Sequence, residues 1–340
     1  MSDEKNNLGL TLREYQGAES TLCKGCGHDA ITASIVAACH QGGLDPRQVV
    51  KLSGIGCSSK TTNYFMNNSF GFNSTHGRMA PLATGVMMAN RHLLAIGVSG
   101  DGDTASIGLG NFAHMIRRNL NIAYLVENNG VYGLTKGQFS ATADPGTRNK
   151  KGDANPWPAV DIPSLAIAMG ATFVARSFSG DRKQLAPLIM AAIRHRGTAI
   201  LDILSPCVTF NNHEGSTKSL RSIREHMDPL NTVDFVPAFQ PILADLPEGQ
   251  DTRVRLHDGS WVTLHKLKDH NPADRIHSLM LLEKAGREKK FLTGLIYIDE
   301  SSRPFTEVEE LSDTPLNMLT EKDLRPPAEE LARLNRRLMG

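Results

Sequence analysis

Residues 93–138 read LLAIGVSGDGDTASIGLGNFAHMIRRNLNIAYLVENNGVYGLTKGQ, a stretch that admits few folds. Residues 93–98 are a short apolar run of the kind a buried parallel strand needs. Gly100-Asp101-Gly102-Asp103 ends it, and the glycines let backbone approach a ligand where a side chain would collide. The spacing of Ile107, Phe112, Met115 and Ile116 predicts a helix running to about Arg118. Residues 121–126 are a second apolar run, closed by Asn128-Asn129-Gly130. A strand-helix-strand unit of this length makes a right-handed crossover, so both loops emerge at one carboxyl edge. Asp101 and Asn129, 28 positions apart, then converge on one point. Oxygen ligands from two strand ends, beside a helix N-terminus, suit a Mg²⁺ ion carrying a diphosphate.

A GDG followed at this interval by NN resembles the signature of thiamine diphosphate enzymes. The resemblance implies that Asp101, Asn129 and the backbone oxygen of Val131 hold the metal. It also implies an α/β fold, a doubly wound, mostly parallel sheet of the diphosphate-binding type. An ordinary βαβ unit with Gly-rich turns is the plainer alternative.

Composition narrows the class. With 40% hydrophobic and 21% charged residues over 340 positions the chain is globular. Its formal net charge of +1 offers no electrostatic case for nucleic acid or an anionic membrane. No apolar run reaches the roughly 18 residues of a membrane span, and MSDEKNNLGL carries no signal-peptide core. The expected location is cytoplasmic.

Five cysteines are too few for a disulfide scaffold. Cys39 falls in line with Ile31 and Ile35 on a predicted helix over 28–40, a core face. The other four lie in loops. Cys23 and Cys26 form a C-x-x-C turn, CKGCG, before that helix. Cys57 follows a predicted strand over 49–52, in SGIGCSSK, and Cys207 follows another over 199–204, in SPC. From the residues alone these are free thiols, a zinc site without its usual second close pair, or the scattered ligands of an iron–sulfur cluster.

Combined with the thiamine signature, residues 20–215 resemble the β subunit of 2-oxoacid:ferredoxin oxidoreductases, through CKGCG, SGIGCSSK, THGR, GDGD, NNGVYGLTKGQ and SPC. The resemblance implies that Cys23, Cys26, Cys57 and Cys207 hold a [4Fe–4S] cluster near the thiamine ring. It implies a cofactor pocket made by Gly100, Asp101, Gly102, Asp103, Asn129 and Val131, with Cys57, Ser58, His76 and Gly77. Lys60, His76 and Lys136 are the candidate catalytic residues. His76 is expected to donate to a phosphate or a substrate carboxylate, and no carboxylate is spaced to make it part of a hydrolytic triad. Relatives acting on pyruvate tend to carry a small residue where Lys136 stands. A lysine there supplies a point charge for a second, distal carboxylate. The resemblance assigns that role to Lys136 and Lys60, with Leu134 shaping the pocket, and so implies 2-oxoglutarate as the substrate. Pyruvate or a broad range of 2-oxoacids is the alternative.

A 2-oxo acid loses CO₂ readily only where the electrons left behind have a sink, which thiamine diphosphate supplies. The resemblance implies coenzyme A-dependent oxidative decarboxylation to succinyl-CoA with ferredoxin reduced, or the reverse reductive carboxylation. Thiamine enzymes also need a second α/β domain whose Glu contacts the aminopyrimidine. The residues after 215 are too few and wrongly patterned to form it. An α subunit is therefore expected, in an αβ or (αβ)₂ assembly, with this chain inactive alone. Two other classes compete. A non-redox thiamine decarboxylase or carboligase would use its cysteines structurally, and a non-catalytic Cys₄ module would need no thiamine.

Residues 1–215 are expected to form the thiamine diphosphate domain with the cluster ligands. Predicted helices over 80–90, 161–169 and 182–196 and a strand over 171–175 accompany the strand 199–204, expected to close the sheet. Residues 216–340 are expected to form a smaller extension making subunit contacts. It should hold a hairpin, 252–257 and 260–264 around Asp258-Gly259, and a terminal helix, Ala328–Leu338, after Arg325-Pro326-Pro327. His213, Glu214 and His226 lack metal-ligand spacing and carry no assigned role.

Overall fold

The expected βαβ unit lies inside a wider sheet. The computed structural model describes residues 4–239, 251–256, 258–266 and 268–339. In chain order the strands are β1 (Val49–Ser53), β2 (Phe70–Asn73), β3 (Leu94–Gly100), β4 (Ile122–Asn128), β5 (Val131–Tyr132), β6 (Gln138–Phe139) and β7 (Phe173–Phe178). They continue as β8 (Thr198–Leu204), β9 (Met227–Pro229), β10 (Asn231–Val236), β11 (Asp251–Arg255), β12 (Trp261–Lys266) and β13 (Phe291–Ile298). Eight of them form one sheet in the order β2-β1-β3-β4-β8-β7-β13-β9. It is parallel from β2 to β7; β13 then pairs antiparallel to β7, and β9 parallel to β13.

Strand alternation sends side chains to both faces, and helices cover both. Ile122, Tyr124 and Val126 of β4 enter one core, Ala123 and Leu125 the other. The first core packs against helices Met79–Ala89, Leu109–Arg117, Ile162–Met169 and Arg275–Arg287, the second against Gly27–Gln41 and Arg182–Arg194. Cys39 is fully buried with Ile31 and Ile35, as its spacing predicts. This is the doubly wound, mostly parallel α/β fold expected.

Three expectations change. First, β8 does not close the sheet but sits in its middle, between β4 and β7. Second, the far edge comes from beyond residue 215: β13, the apolar run FLTGLIYI, and β9 extend the main sheet, so these residues are partly built into it. The rest of that region includes a three-stranded antiparallel sheet, β10-β12-β11. Its β11–β12 pair is the expected hairpin, with Arg255 opposite Trp261; His257 lies outside the described residues. Third, a single π-helical turn, Asp103–Ile107, precedes the helix Leu109–Arg117. The wider turn shifts the helical face, so Ile107 is exposed while Phe112, Met115 and Ile116 are buried. The helix Ala328–Leu338 forms with no buried residue. Among the described residues no helix is long and apolar enough to cross a membrane.

For the site, one consequence matters. β1, β3, β4 and β8 are adjacent and parallel, so the loops after them leave the sheet side by side at its carboxyl edge.

Candidate thiamine diphosphate and thiol site

Asp101 and Asp103 follow β3, Asn129 and Val131 follow β4, Cys57 and Ser58 follow β1, and Cys207 follows β8. Asp101 is 1% exposed. Its Oδ2 accepts the Gly130 N–H at 3.1 Å, the Thr142 hydroxyl at 2.5 Å and the Ser140 hydroxyl. Its Oδ1 has one long donor, the Asn129 N–H at 3.5 Å. Oδ2 is saturated, so Oδ1 is the oxygen open to a cation. Burial pushes this carboxyl above its ordinary range, and the hydroxyl donors oppose that shift. Asn129 Oδ1 accepts the Val131 N–H at 3.0 Å, a tight turn that keeps the side-chain amide and the Val131 backbone together. Asp101, Asn129 and Val131 line one small cavity with Gly100, Gly102 and Ser58. A carboxylate, an amide oxygen and a backbone carbonyl form an all-oxygen donor set, which fits Mg²⁺. Gly102 has to be glycine: a Cβ there would fall 2.4 Å from the Tyr132 ring, whose hydroxyl donates to the Gly102 carbonyl at 3.0 Å.

Asp103 has a different task. It accepts the Gly77 N–H at 2.7 Å and the Ser99 hydroxyl at 3.0 Å, fastening the His76–Gly77 loop to the sheet. His76 is exposed on that loop. Beneath Asp101 runs a polar chain that the sequence did not reveal. The Thr142 hydroxyl lies 2.8 Å from Asn128 Oδ1, and Asn128 Nδ2 donates to Asp202 Oδ1 at 2.9 Å. Arg176 Nε donates to Asp202 Oδ2 at 2.8 Å, and Arg176 Nη2 donates to Asp161.

Cys23, Cys26, Cys57 and Cys207 line a second cavity. The Cys26 N–H donates to the Cys23 carbonyl at 2.9 Å, closing the C-x-x-C turn. Gly27 and His28 seat that turn on the loop after β8: His28 Nδ1 is 2.7 Å from Ser205 Oγ, and a Cβ on Gly27 would lie 2.5 Å from the same oxygen. Across the cavity, a Cβ on Gly133 would meet Cys57 Sγ at 3.4 Å and Cys207 Sγ at 3.6 Å. Burial pushes the Cys26 thiol up to about 12 and raises that of Cys57, so metal binding has to displace their protons. Among the described residues no three His, Cys, Asp or Glu side chains converge as ligands of one ion. Four thiols around one cavity suit a cluster that takes one thiolate per iron.

The two cavities share a wall of His28, Cys57, Asn129 and Gly133. Glu127, fully buried as the next-to-last residue of β4, lines the first cavity beside that wall. It accepts the Thr61 hydroxyl at 3.0 Å, and its Oε2 lies 3.6 Å from His28 Nε2. Burial pushes the Glu127 carboxyl well above its ordinary range and His28 down to about 4, so it disfavours the charged form of both partners. A carboxylate ending the apolar run IAYLVEN was the available signal. Lys60, Leu134 and Lys136 are not drawn into this wall. Lys60 is partly buried, with its ammonium 3.3 Å from the Thr21 hydroxyl. Leu134 and Lys136 are exposed on the turn between β5 and β6, Lys136 at φ 80°.

Residues 54–203 match the family model of the thiamine pyrophosphate enzyme C-terminal TPP binding domain. The 2-oxoacid:ferredoxin oxidoreductase 1 subunit beta of Aeropyrum pernix is 40% identical over 236 residues, which cover 69% of this chain and 71% of that one. The chain belongs to the 2-oxoacid:ferredoxin oxidoreductase β subunits. It is thus a subunit of an oxidoreductase that carries a thiamine diphosphate domain, and a β subunit implies an α subunit. The 2-oxoglutarate oxidoreductase subunit KorB of Mycobacterium tuberculosis is 41% identical over 207 residues, which cover 60% of this chain and 54% of its own. A solved 2-oxoglutarate:ferredoxin oxidoreductase from Magnetococcus marinus, with 2-oxoglutarate, coenzyme A and succinyl-CoA bound, superimposes at a TM-score of 0.75. It is 28% identical and covers 97% of each chain.

Proposed function

We propose that this β subunit, with its α subunit in an αβ or (αβ)₂ assembly, converts 2-oxoglutarate and coenzyme A to succinyl-CoA and CO₂. Two electrons and one proton are released, and two ferredoxins take one electron each; reductive carboxylation is the same balance reversed. Within this chain, Asp101 Oδ1, Asn129 Oδ1 and the Val131 carbonyl hold Mg²⁺. Gly100, Gly102, Ser58 and the Gly77 loop, fastened by Asp103, shape the diphosphate seat. Bound thiamine diphosphate supplies the electron sink for decarboxylation. Cys23, Cys26, Cys57 and Cys207 hold a [4Fe–4S] cluster, which accepts electrons singly. Lys136 and Lys60 take the distal carboxylate, Leu134 bounds its chain, and His76 donates to a phosphate or carboxylate oxygen. The reaction runs in the cytoplasm.

One observation carries this reading. The oxygen-ligand cavity and the thiol cavity share the wall of His28, Cys57, Asn129 and Gly133, so Cys57 belongs to both. Cys23 is exposed, which brings the thiol side to the surface where an external electron carrier can dock.

The test is the co-expressed αβ complex, purified without oxygen. About four iron and four sulfide per β chain are expected. Viologen reduction should require 2-oxoglutarate, coenzyme A and thiamine diphosphate together. Little iron in such protein would move the reading to a non-redox thiamine decarboxylase or carboligase. Lys136→Ala should raise KM for 2-oxoglutarate at least tenfold more than for 2-oxobutyrate, in keeping with loss of one charge-assisted contact of about 1.5–3 kcal/mol. An equal effect on both substrates would remove the distal-carboxylate role.

A further inference from the structure

Cys207 and the Asn129 loop leave neighbouring strands, yet their link is not the sheet alone. After β8 the chain makes a turn over Cys207: the Asn211 N–H donates to the Cys207 carbonyl at 3.0 Å, and the Phe210 N–H reaches it at 3.3 Å. Asn211 is 2% exposed, and its side-chain Nδ2 donates to the Asn129 backbone carbonyl at 2.8 Å. Gly130 makes room for this bond. It has φ 76°, and a Cβ there would fall 2.7 Å from Asn211 Nδ2. The segment beyond is pinned as well: Thr217 donates its N–H and hydroxyl to Asp144 at 2.9 and 2.7 Å. One residue thus grips the thiol loop through its backbone and the metal loop through its side chain.

We propose that Asn211 is a positioning residue that couples the two cofactor sites, so that each cofactor is held more tightly when the other is present. The inference rests on the proposed function in assigning Mg²⁺–thiamine diphosphate to the Asn129 loop and the cluster to Cys207. Ligation through Asn129 Oδ1 and the Val131 carbonyl fixes the peptide at 129–131. The carbonyl of Asn129 then fixes the Asn211 amide, and with it the turn that carries Cys207. Coupling of this kind is reciprocal, because the four states form a closed cycle.

The measurement is the dissociation constant of thiamine diphosphate, at saturating Mg²⁺, for the αβ complex with and without its iron and sulfide. Wild-type complex should bind at least fivefold more weakly once depleted. In Asn211→Asp, which keeps the shape but loses the donor, that ratio should fall below twofold. Asn212→Ala, in the same segment but bonded to the Leu220 N–H instead, should retain the wild-type ratio. Equal affinities of replete and depleted wild-type complex overturn the proposal, and so does an unchanged ratio in Asn211→Asp. Where Asn211→Asp does not assemble, Asn211→Ser takes its place, and the wild-type comparison stands by itself. A complex that holds no iron, or binds no thiamine diphosphate, sinks the functional reading instead.

Discussion

The carboxyl edge of the sheet and the C-terminal arm treat their side chains in opposite ways. At the edge, Asp101, Glu127, Asn128, Asn129, Arg176 and Asp202 are all 6% exposed or less, and each has a bonded partner. Along residues 312–339 no residue is buried, although Leu324, Leu331, Leu334 and Leu338 are each more than half exposed. Among the described residues, the last polar ties to the body are Arg91 to the Leu311 carbonyl and the Asp313 carboxylate, and His92 to the Asp313 carbonyl. An isolated helix of this length is marginal in water. The chain therefore spends its cross-bracing on polar atoms that must stay in one place, and the arm adds almost nothing to the fold.

The strongest test of that contrast is Asp202→Ala, which leaves the buried Arg176 guanidinium with Asp161 alone and the Asn128 amide without its acceptor. Breaking such a buried pair costs about 3–5 kcal/mol, read as a lower urea midpoint at unchanged slope. A loss below about 1 kcal/mol would mean that the edge is not braced through Asp202. Thr142→Val comes next. It removes one of the donors on Asp101 Oδ2, so stability should fall by about 1–3 kcal/mol and Mg²⁺-dependent thiamine diphosphate binding should weaken, measured by calorimetry. If only stability moved, the Asp101 carboxylate would not need that hydroxyl to bind metal.

Lys51 carries the comparison into pH. Its ammonium is buried in β1 against the Phe65 and Met66 carbonyls at 2.7 and 3.1 Å, and burial lowers it to about 8. An unfolded lysine titrates near 10.4. Between those values the unfolded chain binds the extra proton, so stability from this group rises with pH across the window and is lost as pH falls through about 8. Lys51→Met should abolish that rise in urea midpoints taken between pH 7 and about 10.5. An identical pH slope in both proteins would show that Lys51 is solvated. The smallest effect belongs to the arm: truncation after Asp313 should move Tm by no more than about 1–2 °C, checked by scanning calorimetry. A larger drop would give the arm a share in the fold and erase the contrast.

Much of the edge was legible because its determinants are local. Apolar runs ending in GDG and NNG dictate parallel strands and a shared carboxyl edge, and the C-x-x-C turn sits directly before its helix. What escaped was what depends on distant partners or on one extra residue. The π turn at Asp103–Ile107 shifts the helical face, which no spacing count anticipates. The place of β8 follows from β7 pairing beyond it, and β13 adds a strand from far down the chain. Glu127 looks like the end of a strand until Thr61 and His28 close around it. Asn211 sits in a polar connector, and its acceptor is 82 positions away.

The seating of the C-x-x-C turn on Ser205 also orders events in the life of the chain. His28 and Ser205 are 177 positions apart and meet only after β8 has paired with β4. Such long-range pairing is slow to form, because loop closure has to precede the contacts that reward it. A ribosome must therefore have released most of the polypeptide before the thiol cavity exists. Until then the loop cysteines are separate thiols, so on the function proposed above the cluster would be assembled as a late step of maturation.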